Sequence, residues 1–187
     1  MKRQQRQKLI EAQARAFHTG TVEYMNKQWV FFDEETDEAS LLDEYVHQEA
    51  EVLRNTFWIK GYLLEDGGFR EGASISQLEN GETVRIRKQL IYSLEKLVEG
   101  LEDEALLYFL NTLNSLHFSI HDSIYCYNHL TFLNPEKEAS GVNFLIFDNE
   151  TQICSVQHHF DYGKKRVDRF EFTLSDGKRT VIEKMLS

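Results

Sequence analysis

Several residue types that mark specialised proteins are scarce in this chain of 187 residues. It has one proline and ten glycines, which excludes a proline-rich linker protein and a collagen-like repeat. No stretch approaches the roughly 18 consecutive apolar residues of a membrane-spanning helix. The basic N-terminus is followed by no apolar run, so we expect no secretory signal. Two cysteines, Cys126 and Cys154, are too few for a disulfide scaffold and favour a reducing cytoplasm.

The chain has enough apolar residues for a hydrophobic core, and its acidic residues outnumber its basic ones. Apolar residues make up 41% of the chain, and 31 acids against 21 bases give a formal net charge of −10. An acidic chain repels phosphate backbones, which argues against nucleic acid as a partner. Residues 1–16 hold five bases and one acid, whereas residues 33–51 hold nine acids and no base. This asymmetry indicates either docking between the two segments or two separately solvated surfaces.

The first 88 residues predict a helix followed by a β-rich unit. Good helix formers with a thin apolar face fill residues 3–16. From residue 19 the apolar period changes to two, and segments 21–24 and 29–32 flank a turn, as in a β-hairpin. Strand-like runs return at 51–53, 58–64 and 83–87. About five short strands joined by tight turns predict a small antiparallel barrel of the SH3-like type.

Residues 89–187 predict a pair of helices followed by a sheet. Apolar residues from Leu90 to Leu101 lie on one helical face, which Gly100 should end or kink, and a second stripe runs from Leu106 to Leu116. Segment 119–130 is ambiguous between helix and strand. Four later runs of period two predict an antiparallel meander; they are 142–147, 153–160, 169–174 and 179–184.

These patterns together predict an α+β protein in three parts. An N-terminal helix occupies residues 1–17, the small β-barrel occupies residues 18–88, and residues 89–187 combine the helical pair with the four-stranded antiparallel meander. The change of hydrophobic period near Lys88 sets the main boundary. No proline-rich or serine-rich linker accompanies it.

Histidines and cysteines concentrate between residues 117 and 159, where five of the seven histidines and both cysteines lie. Several are three or four residues apart, as zinc ligand pairs are. The candidate metal ligands are His117, His121, Cys126, His129, Cys154 and His158. No compact pattern such as Cys-x2-Cys accompanies them, and the alternative interpretation is that they are ordinary core and strand residues. We predict neither a metal nor another cofactor and keep metal binding as the alternative.

Other chemical motifs are weak. A cysteine nucleophile with His129 or His158 as base would lack a recognisable nucleophile elbow or oxyanion hole, and no glycine-rich phosphate loop is present. Arg85, Arg87 and Lys88 form a small basic edge beside aromatic residues that could stack on single-stranded nucleic acid. We interpret those aromatic residues as barrel core and rim instead.

Segments along the whole chain carry a resemblance to a known family. They are RQQR at 3–6, GTVEY at 20–24, WVFFDEETDEAS at 29–40, VQHHF at 156–160 and DRFEFTL at 168–174. In them the chain resembles an uncharacterised family of small soluble proteins from Bacillus-type bacteria. The resemblance implies a bacterial, soluble and cytoplasmic protein, and it transfers no catalytic residue.

The sequence therefore favours a non-enzymatic protein-interaction module. Aromatic strand faces and charged segments would contact another protein or a second copy of the chain, with no membrane partner. The alternative is a metal-binding protein or metal-dependent enzyme that uses the cluster of residues 117–159.

Overall fold

A computed structural model describes residues 1–133 and 138–186, which divide into two compact units. Unit 1 combines Met1–Arg15 with Gln89–Ser187, and unit 2 is Ala16–Lys88. The three-part division drawn from the sequence remains a prediction. In the part of the chain that is described, no helix is long and apolar enough to cross a membrane.

Unit 2 is an antiparallel sheet of eight strands in the order β3-β2-β1-β8-β4-β5-β6-β7. The strands are β1 (Phe17–Met25), β2 (Gln28–Asp33), β3 (Ala39–Leu41), β4 (Glu49–Arg54), β5 (Phe57–Leu63), β6 (Gly68–Glu71), β7 (Ser74–Gln77) and β8 (Glu82–Arg87). Short 3-10 helices, Leu42–Tyr45 and Glu65–Gly67, lie in the connections. The predicted hairpin of β1 and β2 is confirmed, and its two turn residues, Asn26 and Lys27, both have positive φ, the geometry that matches strand twist.

The core of unit 2 lies on one face of this sheet. Val22, Phe31, Val52 and Phe69 are among its fully buried side chains. The SH3-like barrel is not confirmed, because the strand order is linear and its end strands, β3 and β7, each pair with one neighbour among the described residues. Closure into a barrel requires pairing of those ends.

Unit 1 holds the three α-helices and a five-stranded antiparallel sheet in the order β13-β12-β11-β10-β9. The helices are α1 (Arg3–Glu11), α2 (Tyr92–Gly100) and α3 (Asp103–Ser115); the strands are β9 (Ser123–Tyr127), β10 (Ser140–Asp148), β11 (Ile153–Tyr162), β12 (Arg166–Leu174) and β13 (Arg179–Leu186). The α+β class and the helical pair are confirmed, and α2 ends at Gly100 as predicted. The predicted four-stranded meander gains a fifth strand, β9, from the ambiguous segment.

Helices α2 and α3 cover one face of the five-stranded sheet. Phe109 of α3 lies with its ring centroid 5.1–6.2 Å from those of Phe147, Phe170 and Phe172 on β10 and β12. Burial alternates along β10 and β11, so inward residues pack on the helices while their neighbours point to the opposite face.

Candidate functional site

The six candidate metal ligands do not converge. Within residues 1–133 and 138–186, no group of three or more His, Cys, Asp or Glu side chains is arranged to hold a metal ion. His117 is exposed just after α3, and His121 contacts the carbonyl oxygen of Ile10 at 3.1 Å. His129 packs beside Tyr127 and Phe160. The metal interpretation therefore has no support from this geometry.

Both cysteines are unpaired and buried in the core of unit 1. Burial raises the pKa of Cys126, and it raises the pKa of Cys154 to about 11. A nucleophilic cysteine requires the thiolate form, which a lowered pKa favours. The cysteines therefore have the environment of apolar core residues, and the nucleophile interpretation loses its chemical basis.

The sixth candidate, His158, lies at the centre of a buried polar network on the inward face of three adjacent strands. Asn143 of β10 faces His158 across the ladder, and Asp168 of β12 is paired with Phe160, two residues beyond His158 on β11. All three side chains are at most 1% exposed. His158 Nε2 lies 2.8 Å from Asp168 Oδ1, and its Nδ1 lies 3.0 Å from Asn143 Nδ2.

The hydrogen bonds of His158 give each of its two ring nitrogens a separate partner. The backbone N–H of His129 donates to Asn143 Oδ1 at 2.7 Å, so the amide nitrogen of Asn143 faces His158. An amide nitrogen only donates, and His158 Nδ1 must therefore accept. The proton is then on Nε2, from which it is donated to Asp168. The ring of His158 stacks on that of Phe170, with centroids 4.4 Å apart.

Asp168 is a buried carboxylate held in its charged form. Burial raises the pKa of Asp168, but hydrogen bonds from His158 and Tyr162 and the charge of Arg166 outweigh that effect and leave the pKa lowered. The Tyr162 hydroxyl donates at 2.7 Å. Burial and the bond to Asp168 in turn raise the pKa of Tyr162. Arg166 Nε lies 3.6 Å from Asp168 Oδ2, an ion pair too long for a hydrogen bond.

The network resembles part of a catalytic triad, but none of the described residues stands as a nucleophile beside His158. The imidazole nitrogen that would activate a hydroxyl or thiol accepts a hydrogen bond from Asn143 instead. We interpret the network as a structural element that fixes the register of β10, β11 and β12, because a one-residue slip of any of these strands would turn its polar side chain to the opposite face and break the network. His158 is a candidate ligand from its spacing in the sequence, whereas no local pattern there indicates Asn143, Tyr162 or Asp168.

The opposite face of the same sheet presents a group of exposed aromatic side chains. We call this group the aromatic face; it consists of Tyr125 and Tyr127 of β9, Phe132 in the 3-10 helix His129–Phe132, and Phe144 of β10. Tyr127 is paired with Phe144 across the strands, and its ring stacks on that of Phe132 at 6.0 Å. Their exposed fractions run from 39% for Tyr127 to 73% for Phe132. Aromatic strand faces are expected from the sequence, but not at this position, because segment 119–130 is ambiguous between helix and strand.

The basic edge predicted in unit 2 is neutralised by its own carboxylates. Arg85 Nε donates to Glu51, and Arg87 Nε donates to Glu49, each at 2.6 Å. The Arg85 guanidinium also lies between the rings of Phe17 and Trp58, 4.6 and 4.3 Å from their centroids. These arginines are occupied by contacts within unit 2, which weakens the nucleic-acid interpretation.

Comparison with known proteins places the chain among relatives without an assigned activity. A family model described as "Protein of unknown function (DUF2777)" matches residues 4–184. The chain belongs to this family. It is similar to "Uncharacterized protein YisN" of Bacillus subtilis (strain 168), with 37% identity over 125 residues, which are 63% of this chain and 64% of that protein. No solved structure matches. The resemblance to an uncharacterised family is confirmed.

Proposed function

We propose that the chain is a non-enzymatic protein-interaction module that binds a protein partner through the aromatic face. We place this module in the cytoplasm, because both cysteines are unpaired, as is usual in a reducing compartment. The aromatic face is the observation that carries this proposal. Four large rings lie side by side at the surface of unit 1, and the strand that bears two of them, β9, is at the sheet edge.

The composition of the aromatic face suits protein recognition. Tyrosine and phenylalanine are enriched at the centres of protein interfaces, where charged residues are depleted. The four aromatic residues are uncharged; Tyr127 stacks on Phe132 and is the cross-strand partner of Phe144. Stacking also restricts the rings before a partner arrives, so less side-chain freedom is lost on binding.

The other functions considered for the chain have weaker support. The arginines of the basic edge are paired with Glu49 and Glu51, so a phosphate backbone would have to displace these carboxylates. The histidines and cysteines of residues 117–159 serve separate contacts. A protein partner requires none of these side chains to be rearranged.

Site-specific photo-cross-linking tests the proposal. A photoreactive benzoylphenylalanine replaces Phe132 in the full chain, which is expressed in a bacterial host and irradiated. Because Phe132 is exposed and belongs to the aromatic face, we expect one discrete adduct on denaturing gels. Its mass distinguishes a second copy of the chain from another protein.

Phe57 of unit 2 provides a matched control, because it is also 73% exposed. The same photoreactive residue at Phe57 should give no adduct of that mass. Tyr127→Ser, which removes the ring stacked on Phe132, should reduce the adduct several-fold. Equal adducts at both positions, or an adduct that Tyr127→Ser leaves unchanged, would contradict the proposal.

A further inference from the structure

The buried network ends one hydrogen bond away from the aromatic face. The 3-10 helix His129–Phe132, which we call the aromatic turn, carries Phe132 at its last position. The backbone N–H of its first residue, His129, donates to Asn143 Oδ1 at 2.7 Å, while Asn143 Nδ2 lies 3.0 Å from His158 Nδ1. One side chain thus contacts both the network and the turn that bears the most exposed ring of the aromatic face.

The aromatic turn lies directly against strand β10. Strand β9 ends at Tyr127, opposite Phe144, and from there the turn continues beside β10 in place of a strand. The His129 ring packs over the β10 backbone, because a Cβ added at Gly141 would lie 2.7 Å from His129 Cδ2. The Tyr127 ring stacks on those of His129 and Phe132, with centroids 6.2 and 6.0 Å apart. The position of His129 therefore determines how Phe132 lies against Tyr127.

The other hydrogen bonds of the aromatic turn are local or lead to helix α2. The Leu130 N–H and the Thr131 hydroxyl donate to Asn128 at 3.2 and 2.8 Å. Asn128 Nδ2 donates to the carbonyl oxygen of Ser93 in α2 at 3.2 Å. A 3-10 helix of four residues has weak internal hydrogen bonds. Its position on the sheet therefore depends on the bond from His129 to Asn143.

The network determines which end of the Asn143 amide faces the aromatic turn. An amide oxygen only accepts and an amide nitrogen only donates. If the amide were rotated by half a turn, its nitrogen would face the N–H of His129, donor against donor. His158 prevents this, because its Nε2 is directed to Asp168 and its Nδ1 accepts from Asn143 Nδ2. Asn143 is fully buried, and a bond lost at a buried site carries a full desolvation penalty.

We propose that the buried network regulates the aromatic face, with Asn143 as the positioning residue that carries the coupling. When the network is broken, Asn143 is free to rotate, His129 loses its acceptor, and Phe132 leaves its stacked position on Tyr127. Linkage makes the effect reciprocal, so a partner that holds Phe132 in the stacked position also stabilises the network. The inference rests on the proposed function for the partner, whereas the coupling itself is measured in the free chain.

Fluorine NMR of the purified full chain tests the coupling. 4-Fluorophenylalanine replaces Phe132, and its signal in Tyr127→Ser defines the unstacked position of the ring. Asn143→Leu removes the acceptor oxygen with little change of volume. We expect its fluorine signal to move most of the way to the unstacked value, and the His129 amide to exchange several-fold faster in heavy water, because that N–H must turn to solvent.

Cys154→Ser is the matched control for a general loss of stability. Cys154 is buried in the same core on β11 and has no described contact with Asn143 or His129. We expect Cys154→Ser to leave both the fluorine signal and the His129 exchange rate at their native values. An unchanged signal in Asn143→Leu, or a shift of equal size in Cys154→Ser, would overturn the proposal.

His158→Phe tests whether the coupling reaches the network. It leaves Asn143 and the aromatic turn unchanged and keeps a ring beside Phe170, but it removes the nitrogen that orients the amide. We expect a shift of the fluorine signal in the same direction as in Asn143→Leu, and an unchanged signal would overturn the proposal. The unsubstituted chain gives a further check. Its His129 amide should exchange several-fold more slowly than that of Leu130, and equal rates would contradict the anchor.

Photo-cross-linking separates this inference from the proposed function. With benzoylphenylalanine at position 132, His158→Phe should reduce the adduct several-fold relative to the native chain. An undiminished adduct in His158→Phe would overturn regulation of the aromatic face by the network. Fluorine shifts as expected, with no adduct from the native chain, would contradict the proposed function and support the coupling.

Discussion

Asp168→Asn is the substitution that tests the buried network most directly. The asparagine has nearly the same shape, and its amide oxygen can still accept from His158 and Tyr162. Its amide nitrogen replaces Asp168 Oδ2, which lies 3.6 Å from Arg166 Nε. The change therefore removes one negative charge from the network while preserving its packing.

The expected loss of stability follows from the two hydrogen bonds on Asp168 Oδ1. A hydrogen bond to a charged group contributes about 1.5–3 kcal/mol and a neutral one about 0.5–1.5 kcal/mol. Two bonds that lose their charge would cost about 2–3 kcal/mol, and relief of the buried charge offsets part of this. We expect unit 1 to be destabilised by about 2 kcal/mol at neutral pH.

The effect should depend on pH with a definite sign. Because the pKa of Asp168 is lowered in the folded chain, its stabilisation is fully present above the unfolded-state pKa of about 3.9. It is lost as the pH falls through the folded pKa. The difference in free energy of unfolding between the native chain and Asp168→Asn should therefore shrink in acid.

Urea unfolding followed through amide resonances of β11 and β12 measures this difference. Trp29 and Trp58, the two tryptophans of the chain, are in unit 2, so their fluorescence provides an internal control. Asp161→Asn serves as the matched variant, since Asp161 is exposed and accepts only a turn N–H among the contacts described. A loss below about 0.5 kcal/mol at neutral pH, the usual range of surface substitutions, would refute the reasoning. So would a loss of the same size in acid.

Three further outcomes are expected. Gly61→Ala should destabilise unit 2 by about 1–3 kcal/mol, read from tryptophan fluorescence, because a Cβ there would lie 2.4 Å from the carbonyl oxygen of Arg70; Gly100→Ala of unit 1, with nothing within 4 Å, is the control and should cause no loss in unit 1, read from amide resonances of α2. Cys154→Ser should lower the stability of unit 1 by about 1–3 kcal/mol because it buries a hydroxyl group; an unchanged urea midpoint would contradict this. Purified protein should carry less than one equivalent of zinc, and a chelator should leave its melting temperature unchanged; stoichiometric zinc with a large shift would restore the metal alternative.

Local periodicity was sufficient to predict the elements whose partners are close in sequence. The hairpin of β1 and β2, the helices α2 and α3 and the strands β10 to β13 all follow from spacing and turn residues. The barrel could not be predicted reliably because closure depends on which strands distant in sequence pair with each other. Here β1 pairs with β8, the first and the last strand of unit 2 in sequence. Strand β9 was not predicted as a strand, because four of its five residues are at least partly exposed. Its sequence therefore lacks a clear alternation of apolar and polar residues.

The buried network was accessible from the sequence only in part. Strand alternation alone would have placed three polar residues in the core. Each lies an even number of positions from a buried residue of its own strand: Asn143 from Phe147, His158 from Cys154 and Asp168 from Phe170. Alternation does not give the register between strands, which decides that these residues meet. The contacts of the first fifteen residues, the N-terminal arm, could not be predicted from the sequence either. Its arginines pair with Glu99, Asp103 and Asp122 rather than with the acidic segment 33–51.

The pattern of β10 provides an independent reason to expect a partner on the aromatic face. Strands covered on one face alternate between apolar and polar residues, whereas strands covered on both faces have nearly continuous apolar runs. Strand β12 alternates, with Arg169, Glu171 and Thr173 between its inward residues. Strand β10 does not, because Val142, Phe144 and Ile146 point away from the helices between inward Asn143, Leu145 and Phe147. Phe144 is nevertheless 45% exposed. A sequence typical of a strand covered on both faces thus lies in a sheet whose second face is left open at this strand by the described residues, as the proposed binding of a protein to the aromatic face requires.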